Sequence, residues 1–305
     1  MGQIAFLFSG QGAQYPGMGE SFCQASPAAK AVFELADSLR PGTSAQCFTG
    51  TPEELAVTEN TQPCVYTVDL AAARALTEAG ITPAAVAGFS LGEVAALTFA
   101  GAFSDEDGFR FVCARALAMQ AAAQEHPGAM AAVLKLSNET VEALCGEFSH
   151  VWPVNYNCPG QLVVAGLQEE LTAFCEKVKA AGGKAVPLAV SGGFHSPLMA
   201  PAGETLAQVL AGIDMRQPAL PLYANATAAP YAGDGKALLV RQVQSPVRWQ
   251  ETLEALAARG IDTFIECGPG KTLSGLVKKT LKEAVVFRVE DAETLQAAID
   301  GVKGA

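Results

Sequence analysis

The residues able to do chemistry in this chain are few, and they begin with Ser90 in Gly88-Phe-Ser-Leu-Gly92. A short apolar run leads into it and a helix-forming run, Glu93 to Ala100, follows. That order describes a strand, a sharp turn and a helix. The middle residue of such a turn is held in a strained backbone, and glycines two positions either side let strand and helix pack closely. Ser90 would then project its hydroxyl into a cleft. The amide of Leu91, at the helix N-terminus, would face an oxyanion formed when the serine attacks a carbonyl carbon. In a chain with 30 glycines the pattern also arises by chance, so its weight comes from the strand before it and the helix after.

A serine nucleophile needs a base. The chain has three histidines: His126 in a Pro-Gly turn, His150 just before Trp152, and His195 after Val190-Ser-Gly-Gly-Phe194. A lone histidine near a turn is more often structural, but His195 sits where two chain textures meet and is the best placed of the three. None is spaced from another histidine or a cysteine pair as a metal ligand would be, so no metal is expected. The Gly-rich run Ser9 to Gly19 lacks the Gly-Lys-Ser/Thr of a phosphate loop and the acidic residue of a dinucleotide site. It reads as a close-approach loop in which backbone near Gln11 supplies a second oxyanion amide, or else as an ordinary strand-to-helix connection. Arg115 is the only cation between Arg110 and Lys135, among Val112, Cys113, Ala114, Ala116 and Leu117. Its guanidinium either meets an anion in the cleft or snorkels to solvent, and the residue by itself favours snorkelling.

The elements that must hold these residues alternate as strand and helix, which makes the fold α/β. Ile4 to Phe8 reads as a buried parallel strand, Ala28 to Leu39 as a helix, and Cys64 to Ala79 as a helix beginning after Pro63. Ser104-Asp-Glu-Asp107 caps a helix that continues to Glu125. From Gly128 the texture changes: strand, helix, strand, strand, helix, strand, the last running Lys184 to Val190, is the split βαβ pattern. Residues 128–192 are therefore expected to be an inserted subdomain, with residues 1–127 and 193–305 forming one discontinuous domain. Strand-helix units resume near Pro221 and Thr263, and Asp300 to Ala305 reads as a frayed end. Lys271, Lys278, Lys279, Lys282 and Arg288 make one segment basic; a solvated face is the usual meaning and a docking patch for an acidic partner the alternative.

Composition narrows the rest. The chain has 305 residues, half of them hydrophobic, and a net charge of −11. That size supports a substantial core, and the acidic balance argues against a nucleic-acid partner. The start of the chain has no basic leader or long apolar run, and the most apolar window, Ala84 to Phe103, contains Glu93, so no membrane segment is expected. The eight cysteines include no C-x-x-C pair and suit buried free thiols in a cytoplasmic protein.

Taken together, Gly10-Gln-Gly-Ala-Gln14, Gly88-Phe-Ser-Leu-Gly-Glu93, Arg115 with Met119-Gln120, Gly193-Phe-His195, Gln242-x-x-Ser-Pro-Val-x-Trp249 and Glu266-Cys-Gly-Pro-Gly270 resemble the malonyl-CoA:acyl carrier protein transacylases of fatty acid synthesis. The match runs in order from Ile4 to about Leu281. The resemblance implies an α/β-hydrolase-like large domain with a parallel sheet and a ferredoxin-like insertion. It also implies transfer of malonyl from malonyl-CoA to the phosphopantetheine thiol of acyl carrier protein through a malonyl-serine, with no cofactor. Ser90 would be the nucleophile, His195 the base and then the acid, and Gln11 and Leu91 the oxyanion donors. The backbone carbonyl of Gln242 would orient the histidine, Arg115 would bind the malonyl carboxylate, and Phe194 would suit malonyl rather than methylmalonyl. A monomer is expected. The family commonly carries histidine where this chain has Phe89, and the chemistry is expected to survive because His195 remains. Service in a polyketide or malonate-decarboxylase system is the alternative.

Overall fold

Ile4 to Phe8 becomes β1 (Gln3–Phe8), whose last four residues are buried without solvent exposure. The computed structural model describes residues 2–190 and 192–304; Met1, Ser191 and Ala305, touched by the readings of the first strand, the Gly-Gly turn and the chain end, lie outside the described residues. After β1 come α1 (Glu20–Ala25), α2 (Pro27–Leu39), α3 (Thr43–Thr49), α4 (Pro52–Ala56) and α5 (Thr58–Glu78). Then follow β2 (Ala85–Gly88), α6 (Gly92–Phe99) and α7 (Asp105–Glu125). A second group comprises β3 (Ala129–Leu134), α8 (Asn138–Cys145), β4 (Val151–Cys158), β5 (Gln161–Gly166), α9 (Gln168–Ala180) and β6 (Lys184–Pro187). The chain finishes with α10 (Ala200–Ala211), β7 (Leu222–Tyr223), α11 (Gly235–Gln242), α12 (Trp249–Ala258), β8 (Ile261–Cys267), α13 (Thr272–Thr280), β9 (Val285–Val289) and α14 (Ala292–Lys303).

The first and third groups build one sheet in the order β7-β2-β1-β8-β9, parallel throughout. Side chains of β1 alternate between its faces. Phe6 and Phe8 each meet the Phe99 ring of α6 at 5.7 Å. Ala5 and Leu7 join a second cluster with Leu253 and Leu256 of α12 and Leu276 and Val277 of α13. A parallel sheet covered on both faces in this way explains why β1 reads as a continuous apolar run. The loops after β1, β2 and β8 all leave from the same carboxyl edge, where open α/β sheets bind their ligands.

The second group forms a separate antiparallel sheet, β4-β5-β3-β6. Its two faces have different partners. Ala131, Val133, Leu162 and Val164 pack with Val141 of α8 and Leu171, Phe174 and Val178 of α9. Met130, Val163 and Ala165 instead join the main core. Period-two patterning thus gives one face to its own helices and the other to the body of the protein. The antiparallel sheet is laced to the segment before α12, where Val247 receives the Tyr156 N–H at 2.9 Å and donates its own to Val154 at 2.8 Å.

The structure departs from the sequence expectations at three places. Helix α5 begins at Thr58 and runs through Pro63. The proline removes a donor, yet burial of Thr61 to Val68 on all sides outweighs that loss. The strand after α9 ends at Pro187, short of Val190. The chain end is helical to Lys303, because Asp291 and Thr294 form a reciprocal cap and Leu295 and Ala298 find the core.

Candidate active site

Ser90 sits between β2 and α6 with φ 55°, a left-handed conformation that a side chain rarely adopts. The flanking glycines are required by contact. A Cβ on Gly88 would lie 2.0 Å from the Gly92 carbonyl, and one on Gly92 would lie 2.3 Å from the Phe8 carbonyl oxygen. The turn is gripped from outside by Asn225, after β7: its Oδ1 accepts the Ser90 N–H at 2.7 Å and its Nδ2 donates to the Gly88 carbonyl at 2.6 Å. Gln242 adds a third hold, donating from Nε2 to the Ser90 carbonyl at 2.8 Å.

His195 meets this serine from a position 105 residues further along the chain, Nε2 to Oγ at 2.7 Å. It too has a positive φ, 62°, fixed by an N–H bond to the Val243 carbonyl at 3.1 Å. Its Nδ1 lies 3.0 Å from the Gln242 carbonyl oxygen. That acceptor requires a proton on Nδ1, which leaves Nε2 free to accept the serine proton. Burial, then the nearby Arg115 charge, pull the imidazole pKa down to about 4. The ring is therefore neutral, and able to take a proton, across the physiological range. The other two histidines lie elsewhere: His126 is exposed, and His150 pairs with Glu170 at 2.6 Å on the surface.

Arg115 does not snorkel. Only 1% exposed, it is drawn inward by amide oxygens that its local sequence does not contain. Nη1 donates to Gln62 Oε1 at 2.7 Å, and Nη2 to Gln242 Oε1 at 3.0 Å and Ser90 Oγ at 3.2 Å. Among the described residues no carboxylate lies within 4.0 Å of it, and Nε has no partner. Burial lowers its pKa to about 10, a shift opposed by Glu93. The guanidinium stays charged, and a buried cation held only by neutral oxygens favours an anion beside Ser90.

The hydroxyl opens into a cavity of about 90 Å³ walled by Gln11, Phe89, Met119, Met130, Phe194 and His195, with Asn155, Leu188 and Val190 from the antiparallel group and the loop after it. Gln11, Phe89, Asn155 and Leu188 also line a groove of about 210 Å³ that runs outward past Leu273 and Leu276 of α13. The loop after β1 approaches closely: a Cβ on Gly10 would stand 2.8 Å from the Phe89 carbonyl oxygen. Among the described residues neither the Gln11 nor the Leu91 backbone N–H donates a hydrogen bond within the protein, while the Gln11 side-chain amide donates to Thr58 at 3.3 Å. Ser90, His195, Arg115, Gln242, Gln11, Leu91 and Phe194 are thus all brought to one place. Gln62, Asn225 and Asn155 also belong to it, as does Glu93, which enters the sequence reading only as the last residue of its motif. Glu93 left a trace, a carboxylate in the apolar run Leu91 to Leu97; the three amides left none.

A hydroxyl and a neutral imidazole lining one small cavity, with a buried cation bonded to that hydroxyl, suit transfer of an anionic acyl group. The chain matches the family model of the acyl transferase domain over residues 5–301, and it belongs to that family. It is 42% identical to the malonyl CoA-acyl carrier protein transacylase of Bacillus subtilis, over 99% of this chain and 98% of that one. With the enzyme of that name from Escherichia coli it shares 37% identity over 98% and 100% of the two chains. Its structure resembles the malonyl CoA-acyl carrier protein transacylase of Clostridium perfringens, with a TM-score of 0.96 and 36% identity over 99% and 98% of the chains. A malonyl-transacylase solved in complex with a type II PKS acyl-carrier protein is similar at a TM-score of 0.94 and 36% identity, over 98% and 99% of the chains.

Proposed function

We propose that this protein is an acyltransferase that moves malonyl from malonyl-CoA to the phosphopantetheine thiol of an acyl carrier protein, through an ester on Ser90. The observation that carries the reading is the convergence of His195 Nε2 and Arg115 Nη2 on Ser90 Oγ, at 2.7 and 3.2 Å. Malonyl-CoA enters with its carboxylate toward the guanidinium. His195 takes the Ser90 proton as Oγ attacks the thioester carbon, and the oxyanion is held by the Gln11 and Leu91 amides. As the carbon–sulfur bond breaks, the imidazolium returns its proton to the coenzyme A thiolate. The pantetheine thiol of the carrier then gives its proton to His195 and attacks the ester carbon. Ser90 leaves with that proton. Phe194, 6% exposed, narrows the acyl pocket against a branched substrate.

The parallel-sheet body, residues 1–127 and 193–305, is read as α/β-hydrolase-like and residues 128–192 as an inserted ferredoxin-like unit; the element order β3-α8-β4-β5-α9-β6 supports the second assignment. The reaction belongs to fatty acid synthesis in the cytoplasm, carried out by a monomer without cofactor. Eight free cysteines suit that compartment, and no helix among the described residues is long and apolar enough to cross a membrane. Lys279 of α13 donates to Gln161 at the outer groove at 3.1 Å, which puts basic charge where an acidic carrier would arrive. Service to a polyketide carrier is the second reading, favoured by the likeness to the complex with a type II PKS carrier.

Brief exposure to malonyl-CoA followed by intact-mass analysis tests the proposal. One malonyl per chain is expected, absent in Ser90→Ala; label retained by that variant overturns it. Transfer rates to purified fatty acid and polyketide carriers separate the two readings.

A further inference from the structure

Behind the serine lies a second layer of polar groups that the transfer chemistry does not use. Asn225 is 1% exposed and Glu93 fully buried. Glu93 accepts the Asn225 backbone N–H at 2.7 Å through one oxygen and the Tyr231 hydroxyl through the other. So anchored, the Asn225 side chain spans the turn, accepting from Ser90 N–H and donating to the Gly88 carbonyl. We propose that Asn225, anchored by Glu93, is a positioning residue for Ser90. Its amide locks the strained turn and consumes the serine's own N–H, so that the oxyanion is left to the Gln11 and Leu91 amides. The inference rests on the reading of Ser90 as nucleophile.

The chemistry of the site calls for an amide. One edge of the group must accept and the other donate, toward an N–H and a C=O only two residues apart. A carboxylate offers acceptors on both edges and repels the Gly88 carbonyl; an apolar isostere leaves a buried N–H and C=O unsatisfied. A left-handed φ at a non-glycine residue persists only where its surroundings over-determine it. Asn225 also receives Gln242 Nε2 at 3.4 Å, so the grip on the serine and the seat of Arg115 share one residue.

The test exploits the fact that a protonated aspartic acid reproduces the asparagine pattern and an ionised one does not. The titratable group bonded to Asn225 is Glu93, which also holds Tyr231, while Arg115 is linked to it through Gln242 and His195 through Ser90; Glu93, raised to about 7, titrates in both proteins and cancels in their ratio. The rate of Ser90 malonylation from malonyl-CoA is followed by intact mass for the wild type and Asn225→Asp between about pH 5.5 and 8.5, a range in which His195 stays neutral. The variant is expected to label about 100-fold more slowly than wild type at the alkaline end, and to recover at least about tenfold on acidification while the wild type stays level. Malonyl-CoA affinity, measured by calorimetry at about pH 5.5 in a Ser90→Ala background, where a protonated aspartic acid at position 225 reproduces the asparagine pattern, is expected to be unchanged by adding Asn225→Asp. Labelling at the wild-type rate at pH 8.5, a deficit that does not narrow on acidification, or lost affinity in the double variant overturns the inference. Label on Ser90→Ala overturns the underlying reading instead.

Discussion

Arg115 Nη2 donates to Ser90 Oγ at 3.2 Å, so a buried guanidinium and the hydroxyl beside His195 share a single contact. An acyl group attached to that oxygen would lie within reach of the cation. Arg115→Ala is expected to lower kcat/KM for malonyl-CoA by about 100-fold or more, roughly 3 kcal/mol, and to raise acetyl transfer. Parallel assays with the two acyl-CoAs check this; an unchanged preference removes Arg115 as the anchor.

With His195 as the base, its imidazole pKa of about 4 sets the acid limb expected of the reaction. The base form is present above that value and lost below it, so kcat/KM for malonylation is expected to be level from about pH 5.5 to 8 and to fall below about pH 5. A limb centred near the ordinary histidine value of about 6.5 would contradict the burial argument.

Glu93 titrates in the opposite sense. Burial raises its pKa to about 7, against the bonds from Tyr231 and Asn225. A carboxyl whose folded pKa is raised contributes stability below its unfolded pKa of about 4.5, and that contribution is lost as pH rises through the folded value. The stability of Glu93→Gln relative to wild type is therefore expected to grow between about pH 4.5 and 7 by an amount on the order of 3 kcal/mol, then level off. Tm against pH for both proteins reads the difference; Asp69 and Glu266, whose buried carboxyls are also raised, cancel in it.

Gly92→Ala would drive a methyl into the Phe8 carbonyl oxygen, with backbone on both sides unable to yield. The expected result is a fall in Tm corresponding to several kcal/mol, on the order of overpacking a core, with loss of labelling. A stable, active Gly92→Ala would mean that β1 and α6 are not in that contact.

Phe89 stands edge-on to Trp249 at 5.4 Å and borders both the inner cavity and the outer groove. It touches neither the Ser90–His195 pair nor the guanidinium through any hydrogen bond. Phe89→His is expected to keep malonylation within about tenfold of wild type, since a wall residue contributes mainly through packing. A loss of about 100-fold would give the ring a part in the chemistry.

The parts of this site legible in the sequence are those governed by local stereochemistry. Gly88 and Gly92 announce a turn that only glycines allow, and the base is a choice among three histidines. Arg115 was ambiguous because its burial is decided by Gln62 and Gln242, 53 and 127 residues away. Asn225 resembles any polar residue at a strand end until β7 pairs with β2 and brings it beneath Ser90. Pro63 misled for the converse reason. Its local cost is real, but α5 is sheathed by neighbours on every side, and tertiary burial sets the helix boundary. The tail is helical for the same kind of reason, since its cap, Asp291 with Thr294, lies well before Asp300.

The group that accepts the hydrogen bond from His195 Nδ1–H is a peptide oxygen, that of Gln242. It belongs to the main chain, and so no codon change can delete it. An alanine scan of this enzyme would accordingly return a dyad, and whatever position 242 shows in such a scan would report its amide side chain, a different partner of a different atom. The third member of the constellation is inherited with the path of the backbone, which frees this fold from guarding an acidic side chain behind its histidine.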